Sequence, residues 1–276
     1  MTLIKPSVRL SVDTIVKLSD YDLPMRIYCD APESKMQELP VIIYYQGGGF
    51  IWGSIEVFDG YCRKLAKTTG GIVVAPEYRL APRFPFPYAI NDSYAALEWV
   101  SANARALGGD PDRIIVMGGS AGGTIAAVMA LKSYDSGGPD IHAQILCYPG
   151  TTFEEILYPS REYFLMSNRS YLLSYEFITK VKKSYLQGDS DYKDPYVSPL
   201  LAKLNKDMPP ALIITAQADP LRDEGKLYAE NLAAAGIEVK YIECEGMIHS
   251  FLPFYPILED SRYILRDIAR YIDNLN

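Results

Sequence analysis

Short, uninterrupted apolar runs alternate along most of the chain with segments that are apolar on one side only. The strand-like runs are LPVIIYYQ, GIVVAPEY, DRIIVMGGS, HAQILCYPG, ALIITAQAD and VKYIECEG. Continuous runs of this kind are typical of parallel strands buried on both faces. Amphipathic segments separate them, at 57–69, 88–106, 121–133, 222–235 and 257–275. The alternation predicts a mostly parallel sheet flanked by helices, with any functional site at the carboxyl ends of the strands.

Two regions depart from this alternation. Two extended stretches open the chain, VRLSVDTIVKLS and LPMRIYCDA, joined by DYD, and they predict an antiparallel pair of strands. Residues 151–200 contain no convincing buried strand, are rich in tyrosine and include a predicted helix near 171–186. Because long insertions are often functional, we expect a cap over the sheet, with a plain surface excursion as the alternative. The whole chain, 1–276, is expected to form one domain that carries this insertion.

Charge and composition exclude several kinds of partner. The 276 residues include 27 basic and 34 acidic side chains, a net charge of −7, without a basic stripe, so nucleic acid is not an expected partner. No stretch approaches the roughly 18 apolar residues of a membrane span, and the opening MTLIKPSVRLSVD lacks the apolar core of a signal peptide. The four cysteines show neither paired nor metal-ligand spacing. We expect buried thiols in a reducing cytoplasm.

The sequence GGSAGG at 118–123 fits the G-x-S-x-G pattern of a nucleophile elbow, centred on Ser120. A strand-like run precedes the serine and a helix-like run, TIAAVMALKSY, follows it, as an elbow requires. The glycines relieve crowding at a sharp turn, and the helix N-terminus supplies positive potential. A glycine-rich turn with an incidental serine would show the same letters, whereas a phosphate-binding turn would need a lysine that is missing. The context favours Ser120 as a nucleophile.

A serine nucleophile needs a general base, and the chain contains only two histidines. His142 opens a strand-like run and precedes every suitable acid, so a structural or surface role is expected for it. His249 lies just after the last strand-like run and leaves room for the order serine, acid, histidine. We therefore predict His249 as the base.

The acid is expected after a strand, and the stretch ALIITAQADPLRDEG offers three carboxylates. Asp219 follows the strand-like run directly, where its side chain can reach over the sheet edge, and Pro220 fixes the turn after it. Asp223 and Glu224 are typical first-turn helix residues, which the helix dipole favours there. We predict Asp219 as the residue that orients His249 and stabilises its imidazolium.

With these residues placed, the chain resembles the bacterial hormone-sensitive-lipase family of esterases from about residue 38 onwards. The ordered motifs that carry the resemblance are GGGF at 47–50, YRLAPRFPFP at 78–87, GGSAGG at 118–123, DPLRDEG at 219–225 and EGMIHSF at 245–251. It implies an α/β-hydrolase fold and the serine, aspartate and histidine already predicted. It also implies an oxyanion hole from backbone N–H groups of Gly48, Gly49 and Ala121. The implied activity is hydrolysis of short-chain carboxylic esters without a metal or cofactor.

Three positions depart from the family pattern, and the N-terminal segment is short. Gln46 precedes the three glycines at 47–49, here called the glycine loop, where the family has histidine. Gly119 stands where aspartate is common, and Arg83 replaces a usual glutamate. The Gln46 amide could hold the loop by other hydrogen bonds. Gly119 removes a carboxylate beside the nucleophile and could loosen the elbow. Because many family members carry a helical N-terminal cap, we expect a comparatively open pocket here.

Together these residues predict a cytoplasmic serine carboxylesterase for small ester substrates, in which the closing helix and an edge strand could form a homodimer. Phe50 and Trp52 would pack the glycine loop or contact substrate. Two alternatives stay open at this point. One is an amidase or arylformamidase, in which these aromatic rings stack an aromatic substrate. The other is a ligand-binding pseudo-hydrolase, suggested by Gln46 and Gly119.

Overall fold

The structure, a computed structural model, describes residues 5–36, 38–154, 158–162, 172–188 and 191–275. Within these ranges the strands are β1 (Leu10–Lys17), β2 (Asp22–Cys29), β3 (Leu39–Tyr45), β4 (Ile72–Pro76), β5 (Gly109–Gly119), β6 (Ala143–Cys147), β7 (Ala211–Ala218) and β8 (Val239–Ile248). The helices are α1 (Ile55–Thr69), α2 (Tyr88–Leu107), α3 (Ala121–Ser136), α4 (Tyr175–Tyr185), α5 (Arg222–Ala234) and α6 (Glu259–Asp273). The strands form one sheet in the order β1-β2-β4-β3-β5-β6-β7-β8.

The valine- and isoleucine-rich runs form the parallel part of the sheet, as predicted. β3 pairs in parallel with β4 and β5, and the parallel pairing continues from β5 to β8. Every residue of β3, β4 and β6 is buried, which explains why these runs are continuously apolar. Because successive side chains point to opposite faces, Ile42 and Ile43 belong to different apolar clusters, one on each side of the sheet.

The two opening strands form the predicted antiparallel pair, with a register that runs from Leu10 opposite Cys29 to Lys17 opposite Asp22. β2 also pairs antiparallel with β4, so the hairpin extends the sheet at one edge. Asp59 of α1, which is fully buried, accepts a hydrogen bond from Arg26 of β2 at 3.1 Å. This contact fixes the hairpin to the first helix.

Residues 148–210 connect the neighbouring strands β6 and β7 and carry α4, which corresponds to the helix predicted near 171–186. The Ser174 hydroxyl accepts a hydrogen bond from the Phe177 N–H at 3.1 Å and caps this helix. The described residues of the connection contain no strand. The predicted cap also includes residues 155–157, 163–171 and 189–190, which lie outside the described ranges.

In the part of the chain that the structure describes, no helix is both long and apolar enough to cross a bilayer. The four cysteines are buried and unbonded, in agreement with the prediction of buried thiols: Cys29, Cys62, Cys147 and Cys244.

Candidate active site

Ser120 occupies a one-residue turn between the end of β5 and the start of α3. Its φ of 57° and ψ of −122° are costly for a residue with a side chain. Its N–H donates to the Cys147 carbonyl at 2.9 Å, so β6 holds the turn. A Cβ on Gly122 would lie 1.9 Å from the Tyr45 carbonyl oxygen, so this position in α3 requires glycine. The strained turn presents a serine at the carboxyl ends of the strands, as the G-x-S-x-G pattern predicts.

A hydrogen-bond chain joins Ser120, His249 and Asp219 at the carboxyl ends of β5, β8 and β7. His249 Nε2 lies 2.8 Å from Ser120 Oγ, and its Nδ1 lies 2.7 Å from Asp219 Oδ2. Asp219 is fully buried, and its Oδ1 accepts a hydrogen bond from the Leu221 N–H at 2.9 Å. The structure therefore brings together the three side chains predicted from the sequence. In this geometry the histidine can accept the serine proton while the aspartate fixes the histidine tautomer.

The alternative base and the nearest alternative acid lie elsewhere. His142 precedes β6 at the opposite end of the sheet, where it lines a cleft of about 550 Å³, and burial lowers its pKa. Asp223 accepts a hydrogen bond from the Ser160 N–H at 2.8 Å rather than facing His249. Over the described ranges, no group of three or more His, Cys, Asp or Glu side chains is placed to hold a metal ion.

Glu224 is a fully buried carboxylate that joins α5 to the start of the inserted segment. It accepts hydrogen bonds from the N–H groups of Thr151 at 2.7 Å and Thr152 at 3.4 Å, and it pairs with the Arg161 guanidinium. Burial raises the pKa of Glu224 to about 7, while Arg161 and the two amides act in the opposite direction. Sequence reasoning placed Glu224 in a first helical turn and missed this contact, because the partners lie 63 to 73 residues away.

The glycine loop after β3 runs beside Ser120, because a Cβ on Gly47 would lie only 3.4 Å from Ser120 Cβ. Gly48 and Gly49 have φ values of 123° and 62°, which favour glycine. Among the described residues, the N–H groups of Gly48, Gly49 and Ala121 meet no protein acceptor. The first amides of a helix have no intrahelical partner, which accounts for Ala121. Unpaired amide donors beside a nucleophile are what an oxyanion hole requires.

Tyr148 fills the space that a side chain at position 119 would need. A Cβ on Gly119 would come within 2.9 Å of Tyr148 Cε2. The buried Tyr148 ring meets His249 edge-on, with ring centroids 5.3 Å apart. Gly119 therefore leaves room for an aromatic ring that packs on the histidine. Sequence reasoning considered only the lost carboxylate and missed Tyr148.

Gln46 is buried and is anchored through its backbone. Its carbonyl accepts a hydrogen bond from the Tyr78 hydroxyl at 2.8 Å. Its side-chain Nε2 is buried without a hydrogen-bond partner in the described part of the chain. A Cβ on Gly53 would lie 3.3 Å from Gln46 Cδ, so the loop closes tightly on this side chain. The third departure from the family pattern, Arg83, is exposed at the surface.

Phe50 and Trp52 differ sharply in exposure. Phe50 is 2% exposed, and its ring stacks on Tyr185 with centroids 3.9 Å apart. Trp52 is 51% exposed, and its Cε3 atom would lie 3.2 Å from a Cβ on Gly48. Phe50 therefore supports the glycine loop from the core, and Trp52 borders it on the solvent side. Contact of either residue with substrate stays a prediction.

Comparison with known proteins gives relatives that match most of the chain. A family model described as the alpha/beta hydrolase fold matches residues 42–253. Carboxylesterase NlhH of Mycobacterium tuberculosis is 42% identical over 253 residues, which cover 90% of this chain and 77% of that protein. The arylesterase of Saccharolobus solfataricus is 33% identical over 241 residues, which cover 87% of this chain and 76% of that protein.

Solved structures agree with these relatives. EstE1, a thermophilic and thermostable carboxylesterase cloned from a metagenomic library, superposes with a TM-score of 0.93 at 38% identity, covering 99% of this chain and 92% of that one. The hyperthermophilic esterase of Pyrobaculum calidifontis gives a TM-score of 0.91 at 38% identity, with coverages of 96% and 83%. The predicted fold is confirmed. The chain therefore belongs to the α/β-hydrolase fold family, among its hormone-sensitive-lipase-like esterases.

Proposed function

We propose that this chain is a serine carboxylesterase in which Ser120 is the nucleophile, His249 the general base and Asp219 the residue that orients the base. The observation that carries the proposal is the hydrogen-bond chain from Ser120 Oγ through His249 to the buried Asp219. The relatives named carboxylesterase and arylesterase support carboxylic esters as the substrate class.

In the acylation step, His249 Nε2 takes the proton of Ser120 Oγ while that oxygen attacks the ester carbonyl carbon. The charge that develops on the carbonyl oxygen is stabilised by the N–H groups of Gly48, Gly49 and Ala121, each donor contributing about 3–4 kcal/mol. Asp219 stabilises the imidazolium. The imidazolium then protonates the departing alcohol, which leaves an acyl group on Ser120.

In the deacylation step, His249 takes a proton from water, and the water oxygen attacks the acyl carbon. The same N–H groups stabilise the second oxyanion, and Ser120 Oγ recovers its proton from His249 as the acid departs. The donors are backbone groups, so neither step needs a charged side chain in the glycine loop. The uncharged Gln46 is therefore compatible with this mechanism.

Hydrolysis of p-nitrophenyl acetate and butyrate by the wild type and by Ser120→Ala tests the proposal. We expect kcat to fall by about 10⁴-fold or more in the variant, because a member of the triad is removed. A fluorophosphonate should label Ser120 in the wild type only. Equal rates for the two proteins would rule the proposal out, and a panel of esters would then define acyl-chain length.

The half-exposed Trp52 beside Gly48 favours a second candidate, an amidase or arylformamidase for aromatic substrates. Comparing an aryl formamide with the matching aryl acetate separates it from the esterase. Loss of aryl preference in Trp52→Ala would assign that preference to the indole ring. A ligand-binding pseudo-hydrolase, in contrast, predicts no labelling of Ser120 by the fluorophosphonate.

We further propose a cytoplasmic location and a homodimer formed through β8. Buried, unbonded thiols are typical of proteins in a reducing compartment. β8 is the last strand of the sheet, and its outer edge is available for pairing with a second copy. Cell fractionation tests the location, and light scattering coupled to size-exclusion chromatography tests the dimer.

A further inference from the structure

The inserted segment rests directly on the glycine loop through α4. A Cβ on Gly49 would lie 2.4 Å from Val181 Cγ2 and 3.1 Å from Phe177 Cε1. Gly49 also has a φ of 62°. The loop and α4 approach each other this closely because residue 49 has no side chain. The packing of α4 therefore limits where the Gly49 backbone can lie.

Tyr185, the last residue of α4, holds the next residue of the loop. Its ring stacks on the Phe50 ring, with centroids 3.9 Å apart and planes 8° from parallel. Phe50 has a φ of 62°, a left-handed conformation that costs a residue with a side chain about 1–2 kcal/mol. The Phe50 carbonyl accepts a hydrogen bond from the Ala81 N–H at 2.9 Å. Contacts on both sides thus keep Phe50 in a strained conformation.

Tyr185 makes its contribution through its ring. The residue is fully buried, and its hydroxyl has no hydrogen-bond partner among the described residues. Phe86 and Phe153 surround the same ring, each with its centroid 6.0 Å away. Because a buried hydroxyl without a partner lowers stability, the aromatic surface is what this residue offers the loop.

We propose that Tyr185 is a positioning residue for the oxyanion hole: its ring fixes Phe50 and thereby aims the N–H groups of Gly48 and Gly49 at the oxyanion formed on Ser120. The inference rests on the proposed function, which assigns those N–H groups to the oxyanion. It gives the inserted segment a part in transition-state stabilisation. Loosening the loop should weaken binding of the transition state more than binding of the ester.

Three variants test the proposal: Tyr185→Leu, Tyr185→Phe and, as a matched control, Tyr271→Leu. Tyr271 of α6 is also a buried tyrosine with an unpartnered hydroxyl, on the other face of the sheet. For each variant, kcat and KM are measured with p-nitrophenyl butyrate, together with the thermal midpoint. Inhibition by a trifluoromethyl ketone is also measured, because its adduct with Ser120 carries an oxyanion.

In Tyr185→Leu, we expect kcat and affinity for the trifluoromethyl ketone to fall together by about 10- to 100-fold, with KM changed less than about threefold. Tyr185→Phe keeps the ring and should stay within about threefold of the wild type in both quantities. Tyr271→Leu should lower the thermal midpoint to a similar extent and leave kcat within about threefold.

The proposal is overturned if Tyr185→Leu folds and keeps the wild-type kcat. It is equally overturned if the only change in that variant is a raised KM. It is also overturned by a Tyr271→Leu that loses as much kcat. If Tyr185→Leu does not fold, Phe50→Leu removes the other ring of the stack and should show the same parallel loss. The two failures are distinguishable. Activity that persists in Ser120→Ala contradicts the proposed function. If activity depends on Ser120 but Tyr185→Leu leaves kcat unchanged, only this inference is contradicted.

Discussion

On one side of the active site, Ser120, His249 and Asp219 are joined by hydrogen bonds of 2.7 and 2.8 Å; on the other, the glycine loop is held by the packing of α4. Hydrogen bonds fix the distance and direction between particular atoms. Packing instead fixes the volume that a backbone can occupy. Deleting a polar side chain should therefore lower kcat most among the hydrogen-bonded residues. Adding a methyl group should lower kcat most in the glycine loop.

The hydrogen-bonded side gives the largest expected effect. His249→Ala removes the proposed base and should lower kcat by about 10⁴-fold or more, because the members of a catalytic triad act as a unit. His142→Ala is the matched control, since that histidine lies at the opposite end of the sheet. It should leave ester hydrolysis within about twofold of the wild type. Loss of activity in His142→Ala but not in His249→Ala would contradict the assignment.

A single added methyl group should displace the glycine loop from its packing against α4. In Gly49→Ala, the new Cβ would meet Val181 Cγ2 at 2.4 Å and displace the loop. We expect kcat to fall by about 100-fold, as when an oxyanion donor is lost. Gly70→Ala is the control: Gly70 has a similar φ of 67°, but a Cβ there meets nothing within 4 Å.

The Gly70→Ala variant should lose about 1 kcal/mol of stability, through backbone strain alone, and keep its activity. Adding Val181→Ala to Gly49→Ala makes room for the methyl group and should restore part of kcat. If the double variant were no more active than Gly49→Ala, the collision with α4 would not explain the loss.

Glu224 connects the two sides. It lies in α5, just after Asp219, and it accepts a hydrogen bond from Thr151 at the start of the inserted segment. In the folded protein, burial raises the pKa of Glu224 to about 7 from an ordinary value of 4.5. The unfolded chain therefore binds fewer protons than the folded protein between pH 4.5 and 7. The free energy of unfolding should fall as pH rises through this window, by on the order of 3 kcal/mol from this group.

Glu224→Gln removes the titrating group and should flatten that slope, as measured by urea unfolding at several pH values. Arg161 is the cation that faces Glu224, and Tyr158 lies close enough for Glu224 to raise its pKa. The pKa of Tyr158 lies above its ordinary value of 10.0, so this group does not titrate between pH 4.5 and 7 and does not account for a change in slope. An unchanged slope would show that Glu224 titrates at its ordinary value.

The smallest expected effect is at Gln46. Because Tyr78 holds this residue through its carbonyl, Gln46→His should leave kcat within about threefold of the wild type. Gln46→Met removes the unpartnered amide and should raise the free energy of unfolding by about 1 kcal/mol. A large rise in kcat in Gln46→His would mean that hydrogen bonding, and not packing alone, limits the glycine loop.

The sequence predicts that the three hydrogen-bonded side chains come together, because each of them sits at a position defined by local pattern. Ser120 lies between a strand and a helix, Asp219 directly follows β7 and His249 follows β8. Parallel strands bring their carboxyl ends to one edge, so residues that follow them meet there. The fold was predictable for the same reason, since buried strands show as continuous apolar runs.

The packed side could not be predicted in the same way. Phe50 and Trp52 are two positions apart and both aromatic, yet one is 2% exposed and the other 51%. Their difference depends on Tyr185, which is far away in the sequence. The roles of Tyr148 and Glu224 likewise depend on contacts between separate segments. Local pattern carries no signal for such contacts, because they exist only once the chain has folded.

The seating of α4 on the glycine loop also bears on how this enzyme should respond to heat. α4 packs on the loop through side chains and adds no strand to the sheet, so it can open locally at a lower free energy than the sheet requires. Opening α4 would release Phe50 and, with it, the Gly48 and Gly49 amides that we propose for the oxyanion hole. Catalysis should then fade on warming while the eight-stranded sheet is still intact. The temperature limit of activity would be set by one helix rather than by the core.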